Sequence, residues 1–117
     1  MSKQLFGEHC FDLISRPGYY SKSFKLIDKK LVYKGIFGHF MDNHGRIIVL
    51  TITYNNGYPE NPPKVNSSPP IRDVCWDSKG ILHFALDKNQ FVWVKYKDYS
   101  NPLIYLVDEI TEKYKTI

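Results

Sequence analysis

Three residues near the middle of the chain carry side chains that could form a nucleophilic site: Asp73, Cys75 and His83. A cysteine reacts as its thiolate, and a histidine within hydrogen-bonding reach can accept the thiol proton. One interpretation is therefore a thiol catalyst in which Cys75 attacks, His83 acts as the base and Asp73 orients His83. The other interpretation, which we prefer, is that Cys75 is a small packed residue between Val74 and Trp76.

The histidines also raise the question of a metal centre. His39, His44 and His83 are separated by spacings that match no standard zinc site. Cys10 and Cys75 are far apart in the sequence and do not complete one, and two cysteines are too few for a disulfide framework. We therefore expect no metal and no cofactor.

Composition narrows the classes of function. The chain has 117 residues, of which 43% are apolar and 24% charged, as in a single globular domain. Its formal net charge is +4, but the basic residues are scattered among acidic ones, so we expect no nucleic-acid partner. No apolar run approaches the roughly 20 residues that span a bilayer, and the first ten residues contain no signal-peptide core. These features predict a cytoplasmic protein without membrane insertion.

Helical patterns lie at both ends of the chain. In the first, at about 3–15, four residues recur at helical spacing: Phe6, His9, Cys10 and Leu13. In the second, at about 101–115, Asn101 is in a capping position and Pro102 in the first helical position. Its apolar face is formed by Leu103, Leu106, Val107, Ile110 and Tyr114. Both segments should be amphipathic helices.

The runs between the helices favour strands. Residues 23–28, 29–40 and 45–54 are rich in β-branched and aromatic residues, and turn-forming residues separate them. The third run places Ile48, Leu50, Ile52 and Tyr54 on one face. A short extended piece at 64–68 follows. We therefore predict an α+β domain, with an antiparallel meander of about four strands on which both helices pack.

A proline-rich segment follows the third strand. "YPENPP" contains Tyr58, Pro59, Pro62 and Pro63, and each proline fixes its own φ and restricts the residue before it. The segment resembles the one that leaves the third strand in ubiquitin-conjugating enzymes. The flanking helices and the later Trp93 occur in the same order as in that family, so the resemblance covers nearly all of residues 1–117. The related RWD domains share a similar tyrosine-proline signature.

The resemblance implies that the catalytic cysteine is missing. Counting forward from Val65 without a gap, Gly80 falls on the family's glycine and His83 on its cysteine. An imidazole cannot hold a stable thioester. The chain therefore resembles a ubiquitin-conjugating enzyme variant, or UEV. That resemblance implies a non-catalytic domain that binds ubiquitin or a ubiquitin-like protein, either as the partner of an active conjugating enzyme or with ESCRT subunits in cargo recognition and protein transport.

The expected binding surface combines a hairpin tip with the disused active site. Phe40, Met41 and His44 lie near the tip, and the rim extends from Asp73 to His83. Exposed Phe and Met at a tip would suit a protein partner. Two alternatives stay open: a divergent conjugating enzyme with Cys75 as its nucleophile, and an RWD-like adaptor that binds other proteins without ubiquitin.

Overall fold

The computed structural model describes residues 2–15, 24–27, 35–84 and 91–114. A helix opens this part of the chain and another closes it, with four strands between them. The elements are α1 (Ser2–Ser15), β1 (Phe24–Ile27), β2 (Gly35–Met41), β3 (Ile47–Thr53), β4 (Lys64–Ser68), a short 3-10 helix (Trp93–Lys95) and α2 (Pro102–Tyr114). The prediction of an α+β chain with a helix at each end is confirmed.

The four strands form one antiparallel sheet in the order β1-β2-β3-β4, so each strand pairs with its neighbour in sequence. The extended piece at 64–68 is the fourth strand of this meander. Alternation along β3 buries Ile48, Leu50 and Ile52 and turns the intervening residues outward, as the sequence predicted. The sheet therefore has an inner face that forms part of the core and an outer face toward solvent.

Both helices contribute to the same hydrophobic core as the inner face of the sheet. In α1, Phe6, Cys10 and Leu13 are fully buried. The buried residues of α2 include every member of its predicted apolar face: Leu103, Leu106, Val107, Ile110 and Tyr114. No helix within the described ranges is long and apolar enough to cross a membrane.

Side chains from distant parts of the chain hold the proline-rich segment. Tyr58 is buried, and its hydroxyl is hydrogen-bonded to Nδ1 of His9 in α1. The indole Nε1 of Trp93 donates to the carbonyl of Pro59 at 2.7 Å, and Lys97 forms an ion pair with Glu60 at 3.0 Å. The exit from β3 is thus fixed by contacts with α1 and with the segment that precedes α2.

Candidate functional site

A tight turn shapes the segment that the resemblance aligns with the active-site loop. Asp77 accepts two backbone hydrogen bonds through Oδ1, from Lys79 at 2.9 Å and from Ile81 at 3.0 Å. Gly80 adopts a φ of 87°, and its carbonyl accepts a hydrogen bond from the Ser67 amide of β4 at 2.7 Å. The turn is therefore held against the edge of the sheet.

Asp73, Cys75 and His83 do not form a catalytic triad in this structure. Cys75 is 2% exposed, and its Sγ lies 3.6 Å from the Tyr114 hydroxyl. The exposed His83 ring is hydrogen-bonded through Nε2 to Oδ2 of Asp77 at 2.9 Å, and this bond lowers the pKa of Asp77. Among the described residues, neither Cys75 nor Asp73 is bonded to the His83 ring. The role proposed for Asp73, to orient His83, has no support in the geometry.

Asp73 belongs instead to a network centred on the last residue of α2. The Tyr114 hydroxyl donates to Oδ2 of Asp73 at 2.8 Å and accepts from the indole Nε1 of Trp76 at 3.1 Å. Lys113 Nζ lies 3.5 Å from the same carboxylate oxygen. The Tyr114 hydrogen bond is the largest effect that lowers the pKa of Asp73, whereas burial raises the pKa of Tyr114. The network fixes the loop around Cys75 to the end of α2.

The turn between β2 and β3 is organised by a buried carboxylate. Asp42 accepts through Oδ1 from the amides of His44 and Arg46, at 3.0 and 2.8 Å, and through Oδ2 from Nε of Arg46 at 3.0 Å. The amide of Asn43 donates to the carbonyl of Tyr114 at 2.8 Å. The hairpin turn and the Asp73 network therefore meet at the C-terminal end of α2.

The expectation that Phe40 is exposed at the hairpin tip is wrong. Strand β2 continues to Met41, so Phe40 pairs with Ile48, points into the core and is 4% exposed. Met41 has the opposite orientation, pairs with Ile47 and is 49% exposed. His44 is exposed in the turn. Of the two apolar residues expected at the tip, only Met41 is available to a partner.

The sheet presents an apolar surface that the sequence did not reveal. Four residues of β2 and β3 that point outward are 38–52% exposed, and we call them the outer apolar face: Phe37, Met41, Ile47 and Val49. Met41 lies directly opposite Ile47, and His39 lies opposite Val49. Met41 and Ile47 lie about 5 Å apart as a direct pair, whereas Phe37 lies opposite Thr51 and neighbours Val49 only diagonally. The four apolar residues therefore lie along one stripe that also includes the polar His39.

The predicted site residues lie in four places, the first of which is the core, where Phe40 and Cys75 are buried. His44 and Asp73 line one cavity of about 260 Å³, whereas Met41 belongs to the outer apolar face. His83 pairs with Asp77 and does not line that cavity. The full lining consists of Asp42, Asn43, His44, Arg46, Ile71, Arg72, Asp73, Lys113 and Tyr114. In the described ranges, no three His, Cys, Asp or Glu side chains are grouped so that they could hold a metal ion.

Comparison with known protein families, curated proteins and solved structures gives no match.

Proposed function

We propose that this chain is a non-catalytic binding module of the UEV type, which binds ubiquitin or a ubiquitin-like protein. The observation that carries the non-catalytic part is the burial of both cysteines, Cys10 and Cys75, which are the only two in the sequence. A thioester enzyme needs an accessible thiol that ionises readily. Burial raises the pKa of Cys10 to about 12, and Cys75 is enclosed beside Tyr114.

The aligned position supports the same proposal. His83 stands where the family has its nucleophile, and its ring is engaged with Asp77 at the surface. Oxyanion stabilisation by a positioned donor is commonly worth about 3–4 kcal/mol of the barrier in acyl-transfer enzymes. In the ungapped alignment, the family's asparagine falls on Cys75, which supplies no amide side chain. The nucleophilic cysteine and the asparagine that supports the oxyanion are therefore both absent from their aligned positions.

The outer apolar face is the binding surface that we propose in place of a site around Phe40. Exposed apolar side chains along one stripe are typical of protein interaction sites. Polar residues of the two edge strands flank the stripe, since Lys25 of β1 lies opposite Phe37 and Ser68 of β4 lies opposite Val49. A small surface of this kind suits a weak complex with a dissociation constant of tens to hundreds of micromolar, about 5–6 kcal/mol.

The decisive experiment is a titration of ¹⁵N-labelled protein with ubiquitin, followed by amide chemical shifts. We expect the shifts to cluster on β2 and β3, at and around Phe37, Met41 and Val49. Phe37→Ser should weaken binding at least about fivefold, because removing an aromatic contact from the interface should cost more than about 1 kcal/mol. The matched control is Val94→Ser, since Val94 is also an exposed apolar residue but lies in the 3-10 helix.

Two results would contradict the proposal. If millimolar ubiquitin produced no shifts, the RWD-like adaptor would become the better hypothesis. If incubation with activating enzyme, ATP and ubiquitin produced a reducible conjugate that disappeared in Cys75→Ser, the chain would be a conjugating enzyme.

A second titration, with an active conjugating enzyme in place of ubiquitin, separates the two UEV roles. Shifts would indicate a partner of that enzyme, and their absence would favour cargo recognition with ESCRT subunits.

A further inference from the structure

The cavity that joins the hairpin turn to α2 contains unused hydrogen-bond donors. Three segments that are distant in sequence form its walls: the turn at 42–46, the loop at 71–73 and the last two residues of α2. The outer apolar face does not contribute to it. Its volume of about 260 Å³ lies below the roughly 300–1,000 Å³ typical of sites for drug-sized ligands. A group the size of one side chain fits this space better than a nucleotide does.

Both carboxylates in the wall already have partners. Asp42 accepts three hydrogen bonds, from the amides of His44 and Arg46 and from Nε of Arg46. Asp73 accepts from the Tyr114 hydroxyl through Oδ2 and from the Val74 amide through Oδ1, at 2.8 Å each. These carboxylates stabilise the wall itself and do not need a ligand to satisfy them.

The cationic groups are less fully used. Arg46 bonds to Asp42 through Nε alone, which leaves its two terminal nitrogens without a hydrogen bond to any residue in the described ranges. Arg72 is exposed and has neither a hydrogen bond nor an ion pair within the described part of the chain. With Lys113, the lining holds three cationic side chains against two carboxylates, an excess of one positive charge when His44 is neutral.

We infer that this cavity binds a carboxylate of a partner protein, held by the guanidinium groups of Arg72 and Arg46. A guanidinium presents parallel N–H donors that match the two oxygens of a carboxylate. A single excess positive charge suits a carboxylate better than a doubly charged phosphate. The carboxylate can come from the C-terminus of a chain or from an Asp or Glu side chain. This inference does not depend on the proposed ubiquitin binding, because none of the outer-face residues lines the cavity.

The first test is a titration of ¹⁵N-labelled protein with sodium acetate, at constant ionic strength maintained with sodium chloride. Acetate should shift the amides of residues 43–46 and 71–73 in a saturable manner. Arg72→Gln should weaken acetate binding at least about fivefold, since a charge-assisted hydrogen bond is lost. Arg72→Lys should weaken it less, because the charge remains while the paired donors are lost. Arg72 is exposed, so neither variant should unfold the protein.

Further arms identify the source of the carboxylate and exclude other anions. Three peptides distinguish a chain terminus from an acidic side chain: triglycine with a free C-terminus, triglycine amide, and a capped tripeptide with a central glutamate. Binding of the first alone indicates a chain terminus, and binding of the third alone indicates an acidic side chain. Phe37→Ser should leave the acetate shifts unchanged, because Phe37 does not line the cavity. The acetate titration therefore tests the cavity independently of ubiquitin binding at the outer apolar face. Inorganic phosphate binding more tightly than acetate would overturn the carboxylate assignment. Equal acetate binding by the native protein and Arg72→Gln would overturn the site.

Discussion

Replacing Tyr114 by phenylalanine removes a single oxygen atom that forms hydrogen bonds with Asp73 and Trp76 and also lies 3.6 Å from Sγ of Cys75. The hydroxyl donates to Asp73 and accepts from the Trp76 indole. The ring can keep its packing against Trp76 and Phe91, because phenylalanine has nearly the same shape. The substitution therefore tests the hydrogen bonds of the network with little change in the volume of the core.

The expected cost follows from the burial of the two partners. Trp76 is buried, so its Nε1–H would lose its acceptor without access to water, at about 1–3 kcal/mol. The Asp73 side chain is 29% exposed and can regain water, so loss of its hydrogen bond should add only about 1 kcal/mol. We expect Tyr114→Phe to lower the free energy of unfolding by about 2–4 kcal/mol. For a domain of this size, that corresponds to a fall in melting temperature of roughly 8–16 °C.

Urea unfolding followed by tryptophan fluorescence measures the change. The matched control is Tyr105→Phe, because Tyr105 is also in α2 but is exposed, and its hydroxyl makes no hydrogen bond within the described part of the chain. The control should lie within about 0.5 kcal/mol of the native protein. If both variants unfolded at the same urea concentration, the hydrogen bonds of the Tyr114 hydroxyl would contribute nothing to stability.

The same pair of proteins makes a prediction about pH. The Tyr114 hydroxyl lowers the pKa of Asp73 in the fold below its ordinary value of 3.8. Stability from the ionised carboxylate is therefore fully present above that value and is lost as the pH falls below it. Tyr114→Phe lacks much of this contribution, so the difference in stability between the native protein and the variant should narrow below about pH 4. A difference that stayed constant from pH 6 to pH 3 would show that Asp73 is not coupled to Tyr114.

Two further predictions concern the framework of the site. Gly80→Ala should destabilise the protein by about 2 kcal/mol or more in urea unfolding, because Gly80 has a φ of 87° and a Cβ there would lie 2.1 Å from the Ser67 carbonyl oxygen. The control is Gly45→Ala, which should cost only about 1 kcal/mol, because Gly45 has a φ of 77° but open space around it. Equal costs of the two substitutions would exclude the steric explanation. Burial lowers the pKa of His9 below 6.5, so the stability that depends on its neutral ring should be present above pH 6.5 and decline as the pH falls below it. His9→Gln replaces the ring that bonds to Tyr58 with a side chain that does not titrate. Between pH 7.5 and pH 5.5 this variant should therefore lose less stability than the native protein. An equal loss in both proteins would assign that pH dependence to other groups.

The regular elements could be predicted because their periodicities are clear. Alternation in β3 and the apolar spacing of α2 each identify one buried face, and the structure buries those residues. The residue types of Asp77–Gly80 are typical of a turn, and the amide of Gly80 donates to the Asp77 carbonyl at 3.0 Å.

The orientation of β2 could not be predicted, because both of its faces carry apolar residues. Ile36 and Phe40 point inward, whereas Phe37 and Met41 point outward. With apolar residues on each side, the period of two does not show which face is buried. The predicted strand ended at residue 40, one residue early, so Met41 was assigned to the turn and Phe40 was placed next to it. Ile48 was predicted to be buried, so its pairing with Phe40 would have shown that Phe40 points inward. That register depends on the number of residues in the turn between β2 and β3.

The candidate sites depend on contacts between segments that are far apart in the chain. Asp73 meets Tyr114 across 41 positions, and the cavity adds a third segment at 42–46. Spacing along the sequence contains no signal for such a meeting. The thiol-catalyst alternative therefore paired Asp73 with the nearby His83, whereas in the fold Asp77 is the carboxylate hydrogen-bonded to that ring.

Asn101 ties the first helix to the last, and this has a consequence for the order in which the chain can fold during its synthesis. Its amide nitrogen donates to the carbonyl of His9 and to Oδ2 of Asp12, while its carbonyl oxygen accepts from the amide of Leu103. A ribosome that adds about 5–20 residues per second needs roughly 5–20 s to pass from His9 to Asn101, which lie 92 positions apart. Throughout that interval the apolar face of α1 lacks α2. The apolar face of α1 in a nascent chain should therefore remain open to chaperones until α2 has emerged.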